Sequence, residues 1–212
     1  MPVEVKICGL NSPEAVRAAA TADYAGFVFY ARSPRNVSPA QAAALAAALP
    51  RQVRRVALLV DADDAFLRAM LDTFRPDLLQ LHGKETPERV AAIRQSFGIP
   101  VMKAIAIRQA EDVAKATAYT KTADRLLFDA KPPERADALP GGNAISFDWR
   151  LLAGQTFPLP TMLSGGLTAA NVAEAARISG VGAVDVSSGV EDAPGKKNPM
   201  KIKDFIKAAR GL

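Results

Sequence analysis

The sequence holds a single cysteine, Cys8, in the run Lys6-Ile7-Cys8-Gly9. One thiol forms no disulfide within the chain and no cysteine-rich metal site, so Cys8 is a small buried hydrophobe, an accident, or a reagent. A thiol in water is mostly protonated at neutral pH and needs help to act there as a base or nucleophile. Lys6, two residues earlier and hence on the same face of a strand, would favour the thiolate. Asp129, which follows Arg125-Leu126-Leu127-Phe128, supplies a carboxyl group. A thiolate and a carboxylic acid across one cavity make a base and an acid. The plainer alternative for Asp129 is an ion pair with a neighbour such as Lys131, or a loop cap. Arg35, in the run YARSPRNVS, could grip a substrate carboxylate with its planar fork, or be a solvated loop cation.

Two Gly/Ser loops point to a second kind of chemistry. Gly165 and Gly166 lie in LSGGL, and Ser188 and Gly189 in DVSSGVE. Without bulky side chains, backbone N–H groups can approach an anion, and hydroxyls and a following helix N-terminus add donors. Either loop alone could be a tight turn; the pair favours a phosphate. His82, in LQLHG, is the only histidine. It is expected to contact ligand or to cap its strand, and no histidine cluster can form around it. Asp61–Asp64 (DADD) resembles a metal loop but reads better as a helix N-cap. GVEDAPGKK has five residues between its glycines and Lys197 where Ser or Thr is required, so it is not a P-loop.

The elements that must position these groups alternate. Apolar and β-branched segments predict strands at Val3–Cys8, Ala25–Tyr30, Arg55–Val60, Leu78–Leu81, Val101–Ile105, Leu126–Phe128, Thr161–Leu163 and Ala183–Val186. Helices are predicted at Pro13–Thr21, Pro39–Leu49, Asp64–Phe74, Pro87–Phe97, Ala110–Thr120, Asp148–Leu152, Ala169–Ile178 and Pro199–Ala209. Three open with Ser-Pro or Thr-Pro, a hydroxyl N-cap before a proline already set for the first turn. Ser38 with Gln41 completes a capping box. Strict β/α alternation implies a parallel sheet with right-handed crossovers, and eight units in 212 residues fit a single α/β domain over 1–212, a (β/α)8 TIM barrel. An open doubly wound sheet would show a Gly-rich dinucleotide turn, which CGLNSP is not. In a barrel, Cys8, Arg35, Asp61, His82, Asp129 and both Gly/Ser loops would meet at the C-terminal rim of the strands. The longest irregular stretch, DAKPPERADALPGGNAIS, leads away from that rim and is expected to be functional.

Composition sets the class. Hydrophobic residues make up 49% and charged residues 23%, as in soluble globular chains. There is no apolar run long enough to span a bilayer and no export signal. With one free thiol, these features predict a cytoplasmic protein. Of the net charge of +5, the segment from Glu191 onward carries six basic and three acidic residues. The rest is nearly balanced and lacks a basic stripe interleaved with aromatics, so a small anionic substrate is expected rather than nucleic acid or a membrane.

Taken in order, KICG, GFVFY with SPRNVSP, LQLHG, LLFDAKPP, FDW, LSGGL, and VDVSSGVE with PGKK resemble the phosphoribosylanthranilate isomerase family over essentially the whole chain. SGGL alone is shared by other phosphate-binding barrels; the combination of KICG, LQLHG and DVSSGVE is specific. The resemblance implies an Amadori rearrangement in tryptophan biosynthesis. N-(5′-phosphoribosyl)anthranilate becomes 1-(2-carboxyphenylamino)-1-deoxyribulose 5-phosphate, with no metal and no organic cofactor. It implies Cys8 as general base, Asp129 as general acid, Arg35 on the anthranilate carboxylate, and Gly165, Gly166, Ser188 and Gly189 on the phosphate. Asp185 is further expected to bind a ribose hydroxyl. A monomer or a homodimer is expected.

Two positions depart from the family's pattern. Ala144 stands where the last Gly of a Gly-Gly-x-Gly run is common, and would be strained if the site needs φ > 0. Ala130 stands where a hydroxyl residue is common. Rival readings are a related phosphosugar enzyme, a non-catalytic phosphate-ligand sensor, and a nucleic-acid-binding protein. A metal-dependent epimerase would need more than one histidine. Retention of both Cys8 and Asp129 weighs against a sensor.

Overall fold

The computed structural model describes residues 3–133 and 139–211. The middle of the long loop, 134–138, lies outside the described residues. Eight parallel strands close into a barrel in sequence order: β1 (Glu4–Cys8), β2 (Tyr24–Phe29), β3 (Arg54–Leu59), β4 (Leu78–Leu81), β5 (Val101–Ile107), β6 (Arg125–Ala130), β7 (Thr161–Leu163) and β8 (Ala183–Val186). Helices α1 (Pro13–Ala18), α2 (Pro39–Ala46), α3 (Asp64–Thr73), α4 (Pro87–Phe97), α5 (Ala110–Ala114), α6 (Val172–Ser179) and α7 (Pro199–Arg210) pack around it. The expected TIM barrel is therefore present. The Asp148–Leu152 helix is instead a single 3-10 turn, Trp149–Leu152. The second half of the predicted fifth helix is likewise 3-10, Lys115–Tyr119. An unpredicted hairpin, β9 (Glu191–Ala193) and β10 (Lys196–Lys197), follows β8.

The helix starts follow the local chemistry read above. Ser12, Ser38 and Thr86 accept from the backbone N–H three residues on, and each is followed by proline. The Ser38–Gln41 capping box forms. Asp63 accepts from the Phe66 amide at 2.7 Å, so the DADD segment is an N-cap.

Alternation along each strand divides the side chains into two sets. Outward residues such as Val5, Ile7, Phe27, Leu59, Leu79, Phe128 and Val184 form the large core against the helices. Inward residues form a smaller plug across the barrel: Tyr24, Val56, Leu78, Met102, Leu127, Met162 and Ala183. One or two inward steps further toward the strands' C-terminal ends, the same faces turn polar: Lys6 and Cys8, Gln80 and His82, Asp129, Ser164, and Asp185. The apolar plug closes one end of the barrel, and the polar layer above it forms the floor of a site.

Candidate active site

Cys8, the last residue of β1, opens onto a cleft of about 490 Å³ that Arg35, His82, Asp129, Ser164 and Asp185 also line. The strand register determines its neighbours. Lys6 lies opposite Asp185 across β1–β8, and Cys8 lies opposite Gly26 across β1–β2. Lys6 is fully buried, and its Nζ donates to Asp185 Oδ1 at 2.8 Å. Ser164 Oγ donates to Asp185 Oδ2 at 3.2 Å. A Cβ on Gly26 would lie 3.2 Å from Cys8 Sγ and 3.3 Å from Lys6 Cε, so glycine gives these two side chains their room.

Burial pushes the Cys8 thiol above its ordinary value of 9.0, and the nearby Asp185 carboxylate adds to this. The ammonium groups of Lys6 and Lys197 pull the other way without prevailing. Lys6 favours the thiolate, as expected, but desolvation of the anion outweighs it. For Lys6 itself, burial acts to lower the pKa, and Asp185 with Cys8 reverses this to a net rise.

Asp129 faces the same cleft from β6. Its Oδ2 lies 3.1 Å from His82 Nε2 and its Oδ1 accepts from the Ala130 amide at 2.9 Å. Its contact is thus the histidine, whereas Lys131 is exposed. Gln80 Nε2 lies 2.9 Å from His82 Nδ1, so the imidazole bridges Gln80 and Asp129. Gln80 Oε1 is buried without a hydrogen-bond partner. His82 is therefore part of the carboxyl group's setting rather than a simple strand cap. Asp61, expected at the same rim, instead accepts from the Lys84 amide at 2.6 Å and fastens the β3 and β4 loops together.

Arg35 is buried, so it is no solvated loop cation. Its Nε and Nη2 donate to the two carboxylate oxygens of Glu191, each at 2.7 Å, and Nη2 also reaches the Gly142 carbonyl at 3.3 Å. Burial acts to raise the Glu191 carboxyl, but Arg35 and Lys197 hold it below the ordinary carboxylate value.

A second cleft of about 360 Å³ adjoins the first, sharing Asp129, Gly142, Ser164, Asp185 and Ser187 with it. Gly165, Gly166, Ser188 and Gly189 line it. Gly165 and Gly166 have φ of 91° and 63°, a region that glycine enters at little cost. A Cβ on Gly165 would lie 2.7 Å from the Ala130 amide, and one on Gly189 would overlap the Leu167 carbonyl. Both loops therefore present bare backbone. A short 3-10 turn, Ser188–Val190, begins within the second loop, and α6 begins at Val172, after the first. Ala144, on the wall of this cleft, has φ 56°, the strained conformation foreseen for it.

The structure thus brings together Cys8, Arg35, His82, Asp129, Asp185 and the four loop residues. Sequence reasoning missed Glu191, Lys197, Gln80, Ser164 and Gly26. The local signals available were the spacing of Gln80 from His82, two residues along one strand, and the places of Ser164 in LSGGL, Glu191 in DVSSGVE and Lys197 in PGKK. Among the described residues no group of three or more His, Cys, Asp or Glu side chains is placed to hold a metal ion, and no helix is long and apolar enough to cross a membrane.

Comparison with known proteins agrees with this fold. The family described as N-(5′phosphoribosyl)anthranilate (PRA) isomerase matches residues 5–208. The N-(5′-phosphoribosyl)anthranilate isomerase of Paramagnetospirillum magneticum is 60% identical over 213 residues, covering 100% of this chain and 99% of that protein. The crystal structure of phosphoribosyl anthranilate isomerase from Thermotoga maritima superposes with a TM-score of 0.87 at 36% identity, covering 99% of this chain and 100% of the other. Another, in complex with reduced 1-(O-carboxyphenylamino)-1-deoxyribulose 5-phosphate, gives 0.81 at 33% identity, with 99% and 100% covered. The chain belongs to the N-(5′-phosphoribosyl)anthranilate isomerase family.

Proposed function

We propose that this isomerase rearranges N-(5′-phosphoribosyl)anthranilate by general acid–base catalysis, with Asp129 as the acid and Cys8 as the base. The observation that carries the assignment is that both side chains face one cleft. That cleft has Arg35 on its wall and runs into the Gly/Ser loops. The substrate has a phosphate at one end and a carboxylate at the other, and the two clefts match that order. The phosphate takes the backbone N–H groups around Gly165, Gly166, Ser188 and Gly189. The anthranilate carboxylate takes Arg35. The ribose lies between, with Asp185 and Ser164 below it and a ribose hydroxyl within the reach of Asp185.

Asp129 gives its proton to the ribose ring oxygen as the C1′–O bond breaks. The anthranilate nitrogen supplies the electron pair for a C1′=N⁺ iminium. The iminium makes the C2′–H bond acidic. The Cys8 thiolate takes that proton, and the electron pair forms the C1′=C2′ bond while the iminium π pair returns to nitrogen. The resulting enolamine tautomerises to the 2′-ketone. Ring opening and C2′ deprotonation each move a proton to or from a group of this chain, and the tautomerisation carries a proton from the 2′-hydroxyl to C1′; none of the steps calls on a metal or an organic cofactor. The His82 imidazole, held by Gln80, orients the acid through its contact with Oδ2.

The whole of 1–212 acts as one domain in this reading, as a monomer or homodimer, in the cytoplasm, where the reduced thiol the chemistry needs is maintained. The test follows anthranilate fluorescence after generating the labile substrate in situ. Wild type should lose fluorescence rapidly, and folded Cys8→Ala and Asp129→Asn should not. Near-normal turnover in either variant would refute its assigned role.

A further inference from the structure

Beyond the acid and the base, a buried set of three charges at the wall of the cleft has no part in the proton transfers. We infer that the hairpin β9–β10 is a positioning device, in which Glu191 holds one edge of the Arg35 guanidinium so that the other edge meets the substrate carboxylate, and Lys197 ties that hold to the phosphate loop. The inference rests on the reading of Arg35 given above.

The hairpin register sets Lys197 directly opposite Glu191. The Glu191 carboxylate then takes three donors: Arg35 Nε and Nη2, and Lys197 Nζ at 2.7 Å. Arg35, Glu191 and Lys197 side chains are 5%, 4% and 0% exposed. Desolvating three charges is expensive, and a buried ion network is weak evidence for stability alone. Two cations on one carboxylate leave a net positive charge beside the cleft, which an anionic substrate group would balance.

The geometry also fixes a direction. Glu191 occupies the Nε–Nη2 edge of the guanidinium as a two-pronged pair, the arrangement that orients the group most strictly. Arg35 Nη1 has no hydrogen bond among the described residues. A Cβ on Gly142 would lie 2.6 Å from it, so glycine at this position keeps a side chain of residue 142 off this nitrogen. Nη1 is the donor left for a ligand.

Lys197 spends its remaining hydrogens on the Ser187 carbonyl at 2.9 Å and the Ser187 hydroxyl at 3.2 Å. Ser187 adjoins Ser188 and Gly189 and lines both clefts. The hairpin is tied to the loop after β1, where Asn11 Nδ2 donates to the Gly195 carbonyl at 2.8 Å, and it packs against the Arg35 loop, where a Cβ on Gly195 would lie 2.5 Å from the Pro34 carbonyl oxygen. One small hairpin thereby sets the position of the carboxylate donor relative to the phosphate loop, and so the length of substrate the cleft accepts.

The experiment measures Kd for two ligands by calorimetry: reduced 1-(2-carboxyphenylamino)-1-deoxyribulose 5-phosphate, and its anilino counterpart without the carboxyl group. Wild type should prefer the carboxylated ligand. Glu191→Gln, confirmed folded by its far-UV spectrum, should lose roughly tenfold or more of that preference, as expected for a charged hydrogen-bonding group set loose. Its affinity for the anilino ligand should change little. In turnover, KM should rise more than kcat falls. In Arg35→Ala the preference should vanish, and adding Glu191→Gln should remove nothing further. Retained preference in Arg35→Ala would overturn the reading of Arg35 and the inference with it. Lost preference in Arg35→Ala but intact preference in Glu191→Gln would overturn the positioning role alone. Should Glu191→Gln fail to fold, Glu191→Asp keeps the charge but withdraws the carboxylate by one methylene. The same loss of preference is expected, and an unchanged preference there overturns the inference.

Discussion

At the scale of single residues, the behaviour of Cys8 is decided by two opposing effects. Burial raises the thiol pKa, and Lys6 only partly offsets it. Since the thiolate alone can take the C2′ proton, kcat/KM should still be climbing with pH from 8 to 9 and level off only above the ordinary thiol value of 9.0. A plateau reached below pH 8 would contradict this. Asp129→Asn keeps the shape of the acid and removes its proton, so turnover should fall by roughly 10²–10⁴-fold with folding intact. The same cleft gives a subtler expectation for His82. His82→Asn keeps a donor near Asp129 but breaks the Gln80 contact, so kcat should fall by less than in Asp129→Asn while KM changes little; a fall in affinity with kcat intact would instead make His82 a ligand contact. Cys8 and Asp129 were legible in the sequence because a lone thiol and a carboxyl at strand ends stand out against apolar strands. Glu191 was not. It stands at the end of DVSSGVE, but its meaning lies in Arg35, 156 residues away, and the motif does not reveal that partner.

At the scale of elements, the strands were readable because each is a short apolar run buried on both sides, β2 over all six of its residues. Helix starts were readable from their caps; helix ends were not. The Ala-rich run after Pro39 continues as helix by propensity but stops at Ala46, since a stretch of alanines marks no stop. The segment after α5 tightens into a 3-10 turn, and Tyr119 at its end donates to the Glu85 carbonyl at 3.0 Å. This long-range tie overrides local preference. The hairpin was invisible for a different reason: strands of three and two residues carry too little sequence to display a period. The loop after β6 was marked by composition, and its Ala144 sits at φ 56°. A non-glycine residue there costs about 1 kcal/mol or more, against the smaller gain from a stiffer unfolded chain. Ala144→Gly should therefore raise stability by under about 1 kcal/mol. The check is the urea midpoint together with amide exchange of residues 139–146, and a lower midpoint would show that the loop tolerates the alanine without strain.

At the scale of the whole molecule, the barrel separates its labours along one axis, with an apolar plug between the Glu4–Arg125 pair at the strands' N-terminal end and the site's titratable groups at the C-terminal end. The fold rule alone told which end would be chemical, so the rim was legible as soon as eight β/α units were counted. The charge pairs that organise the rim were not, because closing the barrel is what brings Lys6 against Asp185 across 179 residues. These pairs link stability to pH. Despite its burial, the Glu191 carboxyl is held below the ordinary 4.5 by Arg35 and Lys197. The unfolded chain therefore binds this proton more readily than the folded one, and stability falls as pH drops. The contribution is complete above 4.5 and is lost as pH falls through the lower folded value. The urea midpoint should thus hold steady down to roughly pH 5 and decline below it. In Glu191→Gln the neutral plateau should lie lower, because two buried cations lose their partner, and the acid decline should be shallower, because one linked proton is gone. An acid limb of unchanged steepness in that variant would show that the three buried charges serve the cleft without bearing on global stability.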